Sequence, residues 1–256
     1  MFHHAIVCQP GTNFANGLTT SQLGTPNIAL AREQHEDYCR ALKECGLELI
    51  RLPTDLAYPD STFVEDTAVL TRESAIMTRP GAASRLGEVA AIRETIRRYY
   101  AEVHEIEPPG TLDGGDICEA GSHFFIGISQ RTNQDGARQL SRLLTADGIT
   151  SSTVDVRDVD SILHLKSGIA YLDNNNLVVM EDLAEREELA GYNLIFVPAE
   201  ESYACNCVLV NDRVLIPSGF PQLESELARL GYWPLALDMS EFRKMDGGLS
   251  CLSLRF

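Results

Sequence analysis

The chain has 256 residues, of which 44% are hydrophobic and 23% charged, with 19 glycines and 11 prolines. These values exclude disorder, collagen and coiled coil, and they allow a sizeable core without metal or disulfide staples. Twenty-one lysines and arginines stand against 37 acidic residues, a net charge of −16, which disfavours nucleic acid as a partner and serves either solubility or the attraction of a cationic substrate, between which charge alone does not decide.

No apolar run approaches the roughly 18 residues of a membrane span. The start MFHHAIVCQP lacks the basic region and long apolar core of a leader, and the seven cysteines are an odd number. The thiols are therefore expected to be reduced, and the protein cytoplasmic, with no membrane partner.

The apolar segment HAIVC at residues 4–8 is a strand candidate, followed by a small, polar, glycine-containing stretch from 11 to 24 that suits a mobile lid or a plain surface loop. Helical spacing runs from Ile28 to Cys45 and stops at Gly46, with Leu30, Tyr38, Leu42 and Cys45 on the inward face. Asp66 opens a hairpin, TAVLT and AIMT around the turn RES, and a helix is expected from Leu86 to Ala101. Asp116 opens a second, ICEA and FFIGI around GSH, before a helix from Gln134 to Asp147. Ser167 opens a third, GIAYL and LVVM around DNNN, before a helix from Glu181 to Ala190. Asn206 opens a fourth, CVLV and VLIP around NDR, before a helix from Leu223 to Leu230, and Ser250 opens the last apolar strand, CLSL.

The openings at 66, 116, 167, 206 and 250 are separated by 50, 51, 39 and 44 residues, which predicts five strand-strand-helix units. The fifth lacks a partner for its strand unless HAIVC supplies it, which would close a ring. The expectation is an α/β fold, a five-bladed pseudo-symmetric propeller forming one domain over residues 1–256.

Such a ring brings its equivalent strand starts to one rim. Those starts carry Glu65 and Asp66, Asp113 and Asp116, His164 and Lys166, Asn206, and Ser250 with Cys251. A thiolate attacks electrophilic carbon, and a histidine protonates the leaving group before deprotonating a water. Acids beside a cysteine oppose its ionisation unless a cation lies between them. A guanidinium meets that need, because two carboxylates hold its N–H fork while its carbon stays open to sulfur.

The segments FVEDTAVL, GTLDGGDI, QRTNQDGAR, LHLKSGIAYL, CNCVL and MDGGLSCLSL, in that order, resemble the dimethylarginine dimethylaminohydrolases of the guanidino-group-modifying pentein superfamily. The resemblance runs the whole chain and lacks the extra helical domain of arginine deiminases. It implies an α/β propeller of five ββαβ units and hydrolysis of Nω-methylated arginine to citrulline and methylamine or dimethylamine. It implies Cys251 as nucleophile and His164 as general acid and base, with Asp66 and Asp113 gripping the guanidinium and Glu65 beside them. Arg85 and Arg131 resemble the pair that binds the α-carboxylate. Asp60 resembles the partner of the α-amino group, with main-chain groups of Leu18 and Met245 nearby. No cofactor or metal is implied, and the family leaves a homodimer open.

Other motifs are weaker. Cys205 with Cys207, and His3 with His4, fall short of a closed zinc site, so packing is expected for the cysteines; Zn²⁺ at Cys251 and His164 would inhibit. The GGD at 114–116 lacks the phosphate-loop pattern and reads as a tight turn carrying Asp113. Arg93, Arg97 and Arg98 read as one solvated helix face. Two other functions share the residues: a hydrolase of arginine or a related guanidino or ureido amino acid, and a non-catalytic binding protein.

Overall fold

The computed structural model describes residues 1–256. β1 (His4–Cys8) leads through α1 (Ile28–Glu44) to β2 (Glu48–Leu52). β3 (Ala68–Leu70) turns into β4 (Ser74–Met77), and α2 (Val89–Ile96) precedes β5 (Glu102–Glu105). β6 (Ile117–Ala120) turns into β7 (His123–Ile128), and α3 (Gln134–Ala146) precedes β8 (Thr150–Asp155). β9 (Ile169–Tyr171) and β10 (Asn176–Met180) are followed by β11 (Asn193–Val197). β12 (Val208–Val210) and β13 (Arg213–Pro217) precede α4 (Pro221–Arg229) and β14 (Pro234–Leu237). The short α5 (Ser240–Arg243) and β15 (Leu254–Arg255) complete the chain.

Each of the four expected hairpins forms an antiparallel pair, and its second strand also pairs in parallel with the strand that follows, giving three-stranded ββαβ-type sheets. Turn chemistry explains why the hairpins close where they do. Asn174 and Asn175 take φ of 49° and 65°, and Asn211 takes 56°, conformations that asparagine tolerates better than other non-glycine residues. The fifth sheet has the order β15-β1-β2. Its outer strand pairs antiparallel with β1, Ala5 opposite Arg255 and Ile6 opposite Leu254, so HAIVC does supply the partner for the last strand.

The chain divides into two compact units, Met1–Val64 with Asn206–Phe256, and Glu65–Cys205. In the first, Tyr38 and Leu42 of α1 are fully buried, as their spacing predicts, and the rings of Phe14, Phe63 and Phe242 cluster at centroid distances of 5.5 to 6.4 Å. In the second, Ile76, Leu112, Phe124, Ile126, Leu140 and Leu144 form one core between α3 and the strands. Side-chain caps set two helix starts: Asn27 accepts the N–H groups of Ala29 and Leu30, and Asn133 accepts that of Gly136.

Two helices differ from expectation. The segment from Glu181 to Ala190 is two 3-10 turns, Glu181–Leu183 and Glu187–Leu189, with no α-helix. An α-helix there would set Glu181 against Glu185 at i,i+4 and Glu185 against Glu188 at i,i+3, while Arg186 turns away to pair with Asp158. The expected helix from Leu86 to Ala101 is an α-helix only over Val89–Ile96, preceded by a 3-10 segment Ala83–Glu88 whose tight turn lets Arg85 reach Glu88. No helix is long and apolar enough to cross a membrane.

Candidate active site

In the unit Glu65–Cys205, three strand-start loops bring their side chains together. Asp66 lies in the 3-10 turn Val64–Thr67, Asp113 just before the turn Gly114–Asp116, and His164 just before the turn Leu165–Ser167. One ligand atom from each of Asp66, Asp113 and His164 falls within 4.8 Å of the others, and all three residues are buried. Gly115 permits this approach, since a Cβ there would lie 2.9 Å from both Asp66 Oδ1 and His164 Nδ1. Its N–H donates instead to Asp66 Oδ1 at 2.9 Å.

Burial disfavours the charged imidazole, but the charges of Asp66 and Asp116 and the bond to Asp113 outweigh it and lift the His164 pKa to about 9. The ring is therefore protonated at neutral pH, and its Nε2–H donates to Asp113 Oδ2 at 3.0 Å. Asp113 Oδ1 accepts the Gly81 N–H at 2.8 Å. Burial pushes the Asp66 carboxyl up, yet His164 and Arg85 more than compensate and hold it below the ordinary carboxylate range. Asp116, fully buried, is raised to about 6, chiefly by burial.

Arg85 is itself buried. Its Nη1 donates to Asp66 Oδ2 at 2.5 Å, while Nε and Nη2 donate to Glu88 Oε2 at 3.0 and 2.8 Å. The structure thus places Arg85 on two acids rather than open to an incoming carboxylate. Arg131 is partly buried in the turn before α3, where its N–H donates to Ser129 Oγ at 3.0 Å. Gly81 packs against that turn so closely that a Cβ would lie 2.3 Å from the Arg131 carbonyl oxygen. Glu65 is buried and paired with Lys166 Nζ.

The other unit holds a second group. Cys251 lies in the 3-10 turn Ser250–Leu252, partly exposed, and Sγ accepts the Gly248 N–H at 3.5 Å. A donor to sulfur favours the thiolate. Asn206 fixes this turn by donating to Ser250 Oγ at 3.1 Å and accepting the Ser250 N–H at 2.9 Å. The buried carboxylate of Asp60 accepts the Leu18 N–H at 3.0 Å, and a Cβ on Gly17 would lie 2.4 Å from Asp60 Oδ1 and 3.2 Å from Met245 Cε. Leu18, Asp60 and Met245 are thus neighbours. The stretch 11–24 contains a 3-10 turn, Phe14–Asn16, and is tied at Thr20, whose N–H donates to Asp246 Oδ2 at 2.5 Å.

Glu88 and Ser129 were not foreseen from sequence; the one signal for Glu88 is its i,i+3 spacing from Arg85. Cys205 and Cys207 are buried, Cys205 ending the 3-10 segment Ala199–Cys205. The cluster of Asp66, Asp113 and His164 offers three metal-ligating atoms, but a protonated His164 offers no lone pair and Arg85 already sits on Asp66. Its carboxylates suit N–H donors better than a metal ion.

A family model described as arginine deiminase matches residues 59–197. A dimethylarginine dimethylaminohydrolase of Pseudomonas aeruginosa is 48% identical over 257 residues, covering 100% of each chain. The chain belongs to the dimethylarginine dimethylaminohydrolase family. The solved structure of a cysteine-to-serine mutant of the Pseudomonas aeruginosa enzyme, complexed with citrulline, matches with a TM-score of 0.97 at 47% identity and covers 100% of both chains. A dimethylarginine dimethylaminohydrolase with histidine replaced by glycine, solved as its adduct with S-methyl-L-thiocitrulline, matches with a TM-score of 0.96, with the same identity and coverage. The five repeated α/β units are therefore those of the pentein propeller.

Proposed function

We propose that the chain hydrolyses Nω-methylated arginine, asymmetric dimethylarginine or monomethylarginine, to citrulline and dimethylamine or methylamine, through a thiouronium on Cys251. The observation that carries this reading is the buried set Asp66, Asp113 and His164: two carboxylates and a protonated acid, one carboxylate already holding a guanidinium, that of Arg85. Residues 1–256 act in this reading as one catalytic domain, which the match of whole relatives over 100% of both chains supports. The relatives above, full-length and complexed with citrulline or a thiocitrulline, support it.

The steps follow from the side chains. Asp66 and Asp113 take the N–H edges of the substrate guanidinium, with Glu65 beside them, and leave its carbon exposed. The bound cation and the Gly248 N–H favour the Cys251 thiolate, whose proton goes to solvent. Sulfur adds to the guanidinium carbon, and His164 protonates the alkylated nitrogen as its bond to carbon breaks. Neutral His164 then takes a proton from water at the site the amine left. The resulting hydroxide adds, the carbon–sulfur bond breaks, the remaining hydroxyl proton passes to solvent, where the released amine takes one up, and citrulline leaves with the thiolate and imidazolium restored. Arg131 receives the α-carboxylate, joined by Arg85 on exchange from Asp66, while Asp60 and the main chain of Leu18 and Met245 hold the α-amino group. An odd number of cysteines, seven, accords with a reducing cytoplasmic setting.

The test is citrulline formation from asymmetric dimethylarginine, monomethylarginine and arginine in parallel, with dimethylamine quantified separately. Citrulline with equimolar dimethylamine supports the reading. Citrulline and ammonia from arginine alone would assign a deiminase instead, and no product from any of the three would leave a binding protein.

A further inference from the structure

Asp116 takes no part in the steps above, yet its two carboxylate oxygens connect the segments that carry three of the participating side chains. Oδ1 accepts the Leu165 N–H at 3.0 Å and so fixes the main chain next to His164, which is extended at φ −135° and ψ 159°. Oδ2 accepts the Ser129 hydroxyl at 2.7 Å. With its proton committed to Asp116, Ser129 Oγ accepts the N–H groups of Arg131 at 3.0 Å and Thr132 at 3.1 Å. Thr132 Oγ1 in turn accepts the Asp113 N–H at 3.0 Å. The carboxylate, Ser129 and Thr132 are all buried.

We propose that Asp116 is a positioning residue that sets the His164 acid–base and the Arg131 turn together, through Leu165 on one side and Ser129 on the other. The inference rests on the roles given above to His164 and Arg131. A carboxylate is required because both of its oxygens accept. Asparagine would keep one acceptor for Leu165 and turn an amide donor toward Ser129, whose lone pairs already serve two N–H groups. The same carboxylate faces the imidazole. The other charged groups around it are Asp113 and Asp66, with Arg85 behind Asp66; Lys166 paired to Glu65 lies on its own turn, and Glu201 lies on the segment Ala199–Cys205 packed against that turn.

Two variants separate the arms. Ser129→Ala cuts the arm that reaches Arg131 and Thr132 while leaving the Leu165 bond and the charge facing His164 in place, and KM for asymmetric dimethylarginine is expected to rise roughly five- to tenfold with kcat within about threefold. Asp116→Asn cuts the same arm and removes a charge facing His164, so KM rises alike, kcat falls about tenfold or more, and the His164 titration midpoint drops from about 9. That midpoint is read by NMR of the histidine ring in the resting protein, so it is informative whether or not methylarginine is the substrate. Folding is checked by circular dichroism, and should Asp116→Asn not fold, the KM of Ser129→Ala decides. For folded variants, an unmoved midpoint in Asp116→Asn, or an unchanged KM in Ser129→Ala, would overturn the joint role.

Discussion

Single side chains carry the chemistry, and their environments fix their protonation. In the proposed reaction His164, lifted to about 9, enters as an acid, so kcat/KM is expected to fall as pH rises through about 9. The same shift bears on stability. A histidine whose folded pKa lies above its ordinary 6.5 contributes stability that is complete below that value and lost as pH rises to about 9. Urea midpoints across that window should decline in the wild type, and the His164→Gly protein should lack this component while releasing little or no amine. Arg85→Ala leaves Asp66 and Glu88 as buried acids without their cation. It should destabilise by about 3–5 kcal/mol, since breaking a buried pair exposes an uncompensated charge. Arg131→Ala, at a partly buried position, should instead weaken substrate binding by about 2–5 kcal/mol while leaving the melting temperature near that of wild type. An Arg131→Ala enzyme with unchanged KM would remove that residue from the site.

At the scale of elements, legibility divides along the range of the interactions involved. The hairpins were readable because their signals are local: alternating apolar residues bounded by DNNN or NDR, whose asparagines take the positive φ that the turns need. The partner of the last strand was readable because the repeat left one place empty. The third strand of each sheet was not: β2 reads ELIRL and β8 TSSTVD, mixed patterns that become strands through parallel pairing with β1 and β7. The Glu181–Ala190 segment carries a helix-like apolar pattern that charge repulsion overrides. In the site, the strand starts named Asp66, Asp113 and His164, because repeat symmetry places them. The bonds through Ser129, Thr132 and Glu88 depend on side-chain geometry that no spacing encodes. Pairing at the edge is also testable: deleting residues 254–256 removes β15 from β1, and a drop in folded yield and melting temperature is expected.

For the whole molecule, the net charge of −16 matters most. A negative field concentrates a cationic substrate, so kcat/KM should fall as ionic strength rises, with little change in kcat. The central claim is that the proposed reaction passes through a covalent bond at Cys251. The most direct measurement is mass spectrometry of enzyme quenched by acid during turnover of asymmetric dimethylarginine. An added mass is expected on the peptide containing Cys251, absent in Cys251→Ser, where citrulline formation also ceases. Citrulline formed by Cys251→Ser, or an adduct on any other residue that turns over to product, would contradict it.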